Sequence, residues 1–346
     1  MSGSRRVWIV ALTGVGLVFA GEPIGPVQAT MPRCAPVVRA VARFPERIDS
    51  LVAVGSSGAV VALAGPRSST ARYLPHDNLT LLTRHGVASW RFDLPRYITP
   101  PGLVVSGSVP TTVSVVVDHS ILSIDPRSGA LRGRSTLDMQ ALGWPAAAVG
   151  GAGGRLFVAG QPDSGWEAVV EALAVGPAGR AHVAWRTQLG LFHAGIWLAP
   201  AHQGQLVVYL PGAYDAPGVM ALLDERRGAL HPAYHVAGPP VAADATRDRL
   251  YRVDASTVYA LDLDNGRTVA SVPGTAPLAL DPSRGLIAYV GRDGLVLASA
   301  RTLRTTGRVA LNGVTALTFT PDGATLVAGL RAGLAWIDVQ GCQAES

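Results

Sequence analysis

Lysine is absent from this sequence, so all 29 basic side chains are arginines. Charged residues make up only 15% of the 346 residues, and the formal net charge is +5. Proteins that bind nucleic acids concentrate basic side chains on one face, whereas here the small excess is spread along the whole chain. We therefore expect no nucleic-acid partner.

The sequence also lacks the short motifs that carry common catalytic and cofactor chemistry. It has no Gly-x-Ser-x-Gly elbow, no His-Glu-x-x-His zinc motif, no phosphate-binding loop and no cysteine cluster. The eight histidines are scattered, and no third ligand completes a metal set. We expect no resident metal or cofactor, except that Ca²⁺ is considered below.

Hydrophobic residues account for 48% of the chain, together with 40 glycines and 25 prolines. This composition is far from that of disordered proteins, which are rich in charge and poor in apolar residues. Glycine and proline both weaken helix interiors. An apolar chain interrupted so often by them is typical of many short strands joined by turns.

The N-terminus has the pattern of an export signal. Arg5 and Arg6 precede the apolar run Val7 to Ala20, and Val27-Gln28-Ala29 suits a signal peptidase. The run falls short of the ~20 apolar residues that span a bilayer. We predict a signal peptide at 1–29 and a single domain at 30–346, in a secreted, periplasmic or cell-surface protein. An uncleaved anchor is the alternative.

The segment Ser4 to Ile9 (SRRVWI) resembles a twin-arginine export signal, with Trp8 where that family prefers Phe. The general export route stays open as well. Cleavage after Ala29 would leave 27 basic and 23 acidic side chains, which is still too dilute a charge for nucleic-acid binding.

One sequence unit recurs along the chain: a short apolar strand followed by a turn that ends in glycine. The closing glycines are 34 to 50 residues apart and are Gly86, Gly129, Gly179, Gly228, Gly266, Gly307 and Gly341. A four-stranded propeller blade repeats every ~40–50 residues. We predict an all-β chain that forms a seven-bladed β-propeller of four-stranded antiparallel blades.

Three segments resemble the repeats of YVTN and WD-repeat β-propellers: Pro321-Asp322-Gly323, Leu250 to Val253 (LYRV) and Val258 to Asp262 (VYALD). The resemblance extends over residues 35–341 and implies the propeller fold. It says little about function, because propellers support many unrelated activities. Trp90 and Trp185 are similar in spacing to the tryptophans of quinoprotein repeats. The other five blades lack such a tryptophan.

The last repeat supplies only three strands before the chain ends. The alternating segment Val37 to Phe44 is unused by the first blade and can complete the seventh as its outer strand. This pairing brings Cys34 next to Cys342, and an exported chain with two cysteines is expected to be oxidised. We predict a Cys34–Cys342 disulfide, with two free thiols as the alternative.

Five successive blades carry an aspartate in the loop between their second and third strands. These residues are Asp118, Asp163, Asp215, Asp254 and Asp293, and blades one and seven carry Arg67 and Arg331 instead. An arc of carboxylates, with Arg292 and Arg331 nearby, could bind Ca²⁺ or a cationic partner. The alternative is that aspartate is simply a favoured turn residue.

These observations favour a secreted or periplasmic binding module over an enzyme. We expect a monomer without a membrane span after signal cleavage, whose loop face binds a protein, glycan or small-molecule ligand. The binding residues would be Asp118, Asp163, Asp215, Asp254, Asp293, Arg292 and Arg331. The alternative is a propeller enzyme of the YVTN-lactonase or quinoprotein dehydrogenase kind, for which no catalytic residue can be named.

Overall fold

The computed structural model shows a chain of short strands joined by turns. The described residues are 34–343 without 44–46, 55–58, 66–77, 84–86, 95–102, 107–111, 118, 143, 152–153, 163–164, 166, 192–195, 202–203, 213–217, 232–233, 237 and 245. They form seven four-stranded sheets in which neighbouring strands run antiparallel. The architecture is therefore all-β.

The strands of the first four sheets are named in chain order, and the strand that precedes them all is β1. They are β1 Val37–Arg43, β2 Arg47–Val54, β3 Ala59–Gly65, β4 Asn78–Leu82, β5 Ala88–Asp93, β6 Leu103–Ser106, β7 Thr112–Val117, β8 Ser120–Ile124, β9 Leu131–Thr136, β10 Trp144–Gly150, β11 Arg155–Gln161, β12 Glu167–Val175, β13 Ala181–Leu191, β14 Trp197–Ala201, β15 Gln205–Leu210, β16 Gly218–Asp224 and β17 Tyr234–Val236.

The remaining strands belong to the last three sheets. They are β18 Pro240–Asp244, β19 Arg249–Val253, β20 Thr257–Asp262, β21 Thr268–Pro273, β22 Thr275–Asp281, β23 Leu286–Gly291, β24 Gly294–Ser299, β25 Thr305–Val309, β26 Val314–Phe319, β27 Thr325–Leu330 and β28 Gly333–Asp338. One short helix, α1 Met139–Leu142, lies between β9 and β10.

Blades one to six each use four consecutive strands, from β2–β5 to β22–β25, and blade seven has the order β1-β28-β27-β26. The first strand of each blade contacts the first strand of the next, and β2 contacts both β6 and β26. The inner strands therefore form a closed ring. The structure confirms the predicted seven-bladed β-propeller.

Strand direction alternates within a blade, so the connections lie on two faces. The upper face holds the loops between second and third strands and the loops between blades. The lower face holds the first-to-second and third-to-fourth turns. Middle strands such as β4, β8 and β24 are buried along their whole length, whereas the outer strands β5 and β21 alternate between exposed and half-buried residues.

The third-to-fourth turns explain the recurring glycine. In blades two, four and five the turn starts at Asp125, Asp224 and Asp262, respectively. The carboxylate Oδ1 of each aspartate accepts backbone N–H bonds from the second and third residues after it. The turn ends four residues later at a glycine with φ between 67° and 72°. Glycine adopts this left-handed conformation without steric cost.

Blade six corrects one detail of the predicted repeat. Its turn ends at Leu303, which has a φ of 57°, whereas Gly307 lies inside β25. A Cβ atom on Gly307 would be 2.7 Å from Cys34 Sγ, so glycine is needed here for close packing against the disulfide. Gly341 closes no hairpin either, because the partner strand of β28 comes from the N-terminus.

Contacts across the seams join one blade to the next on the lower face. Trp90 Nε1 in blade one donates to the Pro126 carbonyl at 2.9 Å, and Trp185 Nε1 in blade three donates to the Glu225 carbonyl at 2.9 Å. Both acceptors follow the aspartate that starts the third-to-fourth turn of the next blade. The two tryptophans thus dock successive blades together.

Arginines of the first-to-second turns reinforce other seams. Arg247 Nη1 in blade five donates to the Pro282 carbonyl at 2.6 Å, and Arg284 Nη1 in blade six donates to the carbonyls of Gly323 at 2.7 Å and Val339 at 3.0 Å. A guanidinium offers several donors in a fixed planar arrangement. One side chain can therefore bond several carbonyls of the next blade at once.

The predicted closure of the ring is confirmed. Strand β1 pairs antiparallel with β28, from Val37 opposite Asp338 to Arg43 opposite Gly333, and Phe44 lies outside the described residues. Cys34 and Cys342 form a disulfide with a Cα–Cα distance of 5.0 Å across a sequence separation of 308 residues. The bond and the strand together join the two ends of the chain.

The one α-helix in the described residues is α1, which is four residues long and lies in the loop that follows blade two. No helix in the described part of the chain is both long enough and apolar enough to cross a membrane.

The disulfide yields the first prediction. Replacing both Cys34 and Cys342 by serine should lower the free energy of unfolding by about 2–5 kcal/mol, because the unfolded chain loses a very long covalent loop. The fold should persist, since backbone hydrogen bonds still pair β1 with β28. Denaturant unfolding measures the loss, and reductant should destabilise only the unsubstituted protein. Equal stability of variant and oxidised protein would refute the prediction.

Candidate functional site

The structure describes four of the predicted site residues, and all four lie in upper-face loops. Asp254 joins β19 to β20, Arg292 and Asp293 join β23 to β24, and Arg331 joins β27 to β28. All four side chains are exposed. Asp118, Asp163, Asp215 and Arg67 lie outside the described residues.

Asp254 is bound within its own loop. Its Oδ1 accepts the backbone N–H groups of Ser256 at 3.3 Å and Thr257 at 3.1 Å. A hydrogen bond from the Tyr259 side chain is the main cause that holds the Asp254 pKa below its ordinary value, and the two backbone bonds act in the same direction. These contacts favour the turn-forming alternative for this aspartate.

Arg252 and Tyr259 form a stacked pair beside this loop. They are cross-strand partners in the register of β19 with β20, and Arg252 Cζ lies 4.1 Å from the centroid of the Tyr259 ring. A cation over an aromatic face is attracted by the ring's quadrupole. Arginine, tyrosine and aspartate thus form one small polar cluster at the upper end of blade five.

Backbone hydrogen bonds tie several upper-face loops to each other. In blade two, Leu137 N donates to the His119 carbonyl at 2.8 Å, and in blade five Gly274 N donates to the Ser256 carbonyl at 2.9 Å. In blade seven, Arg331 N donates to the Gly313 carbonyl at 3.1 Å. Each bond connects a second-to-third loop with a loop between blades, so these described loops are held in place by their own backbone.

Gly294 allows the same kind of contact in blade six. Its φ is 124°, and a Cβ atom there would lie 2.4 Å from the Val309 carbonyl oxygen and 2.9 Å from Leu311 N. Only glycine fits this approach. The loop that carries Arg292 and Asp293 therefore packs directly against the loop that leads to blade seven.

The four described site residues are not joined to one another. No hydrogen bond or ion pair connects any two of Asp254, Asp293, Arg292 and Arg331. The described residues also contain no group of three metal-ligating side chains. Three members of the acidic arc lie outside these residues. The arc as a cation site therefore stays a prediction.

A buried ionic cluster, which was not predicted from the sequence, lies at the junction of blades two and three. Glu171 on β12 is fully buried, and its Oε1 accepts Arg186 Nε at 2.7 Å. Arg186 also pairs with Asp138 at 2.6 Å, in the loop that leads to α1. Burial raises the Glu171 pKa despite the opposing effect of Arg186. A glutamate inside the apolar run VEALAV, opposite an arginine in the hairpin, was the available signal.

No family model and no curated protein matches this chain. The fold alone therefore defines its class, which is that of seven-bladed β-propellers. The propeller fold that the YVTN or WD-repeat resemblance implies is confirmed, and no family match supports YVTN or WD repeats specifically.

The polar cluster yields the second prediction. Tyr259→Phe should raise the Asp254 pKa, because the variant removes the hydrogen bond that contributes most to lowering it. NMR titration of the Asp254 carboxyl group measures the change. Tyr289→Phe in blade six is the matched control and should leave the Asp254 pKa where it is. An equal pKa in the Tyr259 variant and the original protein would contradict the assigned contact.

A calcium titration gives the third prediction. A cation that binds only the folded protein raises the melting temperature by mass action. Because Asp254 Oδ1 already accepts backbone N–H bonds, we expect equal melting temperatures in Ca²⁺ and in a chelator. A Ca²⁺-dependent rise that Asp254→Asn abolishes would contradict this expectation and support the acidic arc as an ion site.

Proposed function

We propose that this protein is an exported binding module that presents the upper face of its propeller to a protein, glycan or small-molecule ligand. The single observation that carries the proposal is the backbone bonding of the described upper-face loops, which connects a second-to-third loop with a loop between blades in blades two, five and seven. The charged side chains in the upper-face loops of blades five, six and seven are exposed to solvent and are therefore accessible to a ligand.

Preorganisation is the physical reason why this face is suited to binding. A loop that must become ordered on binding costs conformational entropy, and a loop already held in place avoids much of that cost. Arg292 and Asp293 lie in a loop packed against its neighbour, and the backbone of Arg331 is held by Gly313. These side chains combine an ordered backbone with exposure to a partner.

Export is the part of the proposal that concerns location. It is supported by the apolar run behind Arg5 and Arg6 and by the Cys34–Cys342 disulfide. Structural disulfides persist mainly in oxidising compartments such as the periplasm and the extracellular space.

Charge reversal tests the proposed face. Ligands would first be found with a glycan microarray and by pull-down from the extracellular fraction of the producing cells. Affinity would then be compared between Arg292→Glu/Arg331→Glu and the control Arg43→Glu/Arg308→Glu, which changes the charge equally on two outer strands. We expect the upper-face variant alone to lose about tenfold or more, because like charges across an interface are strongly unfavourable.

The opposite result is equally clear. A ligand that binds the upper-face variant at full affinity and loses the control variant would place the site on the outer strands and overturn the proposal. Turnover of a bound lactone or alcohol by the purified protein would favour the enzyme alternative.

A further inference from the structure

The outer edge of the lower face carries exposed arginines and exposed apolar side chains. We define the lower rim as the third-to-fourth turns together with the first residues of the outer strands that follow them. The turns of blades two, three and five expose Arg127, Arg180 and Arg267, and those of blades four and six expose the pairs Arg226/Arg227 and Arg301/Arg304. Five consecutive blades thus place guanidinium groups along one edge.

The arginines of these turns form no close ion pair in the described part of the chain, whereas Arg132, at the start of an outer strand, pairs with Asp125 at 2.6 Å. Asp224 lies near Arg226 and Arg227, whose backbone N–H groups and positive charges help to hold its pKa below the ordinary value. The turn aspartates of blades two, four and five also bind backbone N–H groups. Asp264 is the exposed acid of the described rim turns, and Asp248 and Asp322 are exposed in turns closer to the ring axis.

Apolar side chains accompany the arginines. Most of the large hydrophobic residues exposed in the described chain lie at the start of outer strands, in every blade except the sixth. They are Val37, Val87, Leu131, Val183, Leu230 and Val269, with exposed fractions from 44% to 63%. Single exposed apolar residues are ordinary, but here each of six blades places one within a few residues of the start of its outer strand.

The N-terminal side of the propeller lies at this face as well. Cys34 is bonded to Cys342, which follows the lower end of β28. The described chain therefore enters the propeller at the lower face, where β1 begins.

We propose that the lower rim docks on a lipid bilayer that contains anionic phospholipids. Guanidinium groups bind phosphate strongly and bidentately, and each basic residue near an anionic surface adds to the attraction. Valine and leucine side chains beside them enter the interface between headgroups and acyl chains, as in other peripheral membrane-binding elements. A soluble polyanion would use the arginines but would gain little from the apolar side chains.

Vesicle binding of the full chain tests the proposal. The probe is the difference in binding between vesicles of phosphatidylcholine with 30% phosphatidylglycerol, a composition of roughly one anionic lipid in three chosen to give a negative surface, and vesicles of phosphatidylcholine alone. This difference cancels any contribution of the apolar N-terminal run, which is common to all variants.

Arg226→Ser/Arg227→Ser should weaken binding to the anionic vesicles by about tenfold or more. The control Arg43→Ser/Arg308→Ser removes the same charge from the upper ends of two outer strands and should bind as the original protein does. Arg226→Lys/Arg227→Lys should restore most of the binding, and circular dichroism and thermal melting verify that each variant is folded.

A second pair of substitutions separates a bilayer from a soluble polyanion. Leu131→Ser/Leu230→Ser should also weaken binding to anionic vesicles, while binding to a soluble polyuronate should not change. Equal vesicle binding by the rim and control variants, or equal binding to neutral and anionic vesicles, would overturn the proposal. So would tight polyuronate binding without vesicle binding, which would identify an acidic polysaccharide as the partner instead.

Discussion

The pairing of β1 with β28 is the constraint on which the rest of the structure depends. A propeller with an incomplete last blade would expose the backbone of a strand edge, and exposed edges promote aggregation. Here the N-terminal strand completes the blade that the C-terminus leaves unfinished, and the disulfide joins the same two segments. In the closed ring every blade contacts two neighbours. Each loop or turn between strands then lies on either the upper or the lower face.

Seam contacts convert the ring of separate sheets into one body. Each blade buries an apolar face against the next, but the polar backbone of the turns must also find partners at the seam. Trp90, Trp185, Arg247 and Arg284 supply donors for these carbonyls on the lower face. Backbone bonds between loops support both faces: Leu137 N donates to the His119 carbonyl on the upper face, and Leu263 N donates to the Asp248 carbonyl on the lower face.

Much of the fold could be predicted, whereas less of the candidate site could. The repeat failed at Gly307, because Leu303 takes the left-handed turn position in blade six and Gly307 is required for contact with Cys34. For the site, the loop positions of Asp254, Asp293 and Arg331 follow from strand order alone. The partners of Asp254 do not, because Tyr259 reaches it from a strand position that the sequence marks only as an ordinary alternating residue.

The sequence by itself determined the number of blades, the strand that closes the ring and the cysteine pair, because these depend on local turn chemistry and on chain connectivity. Only the tertiary structure decided which groups meet across a seam, such as the Trp185 indole with the Glu225 carbonyl or Arg186 with Asp138. It also decided that arginines and valines from distant repeats share one rim. Such neighbours come from different blades, so their proximity arises from the curvature of the closed ring, which leaves no local pattern in the sequence.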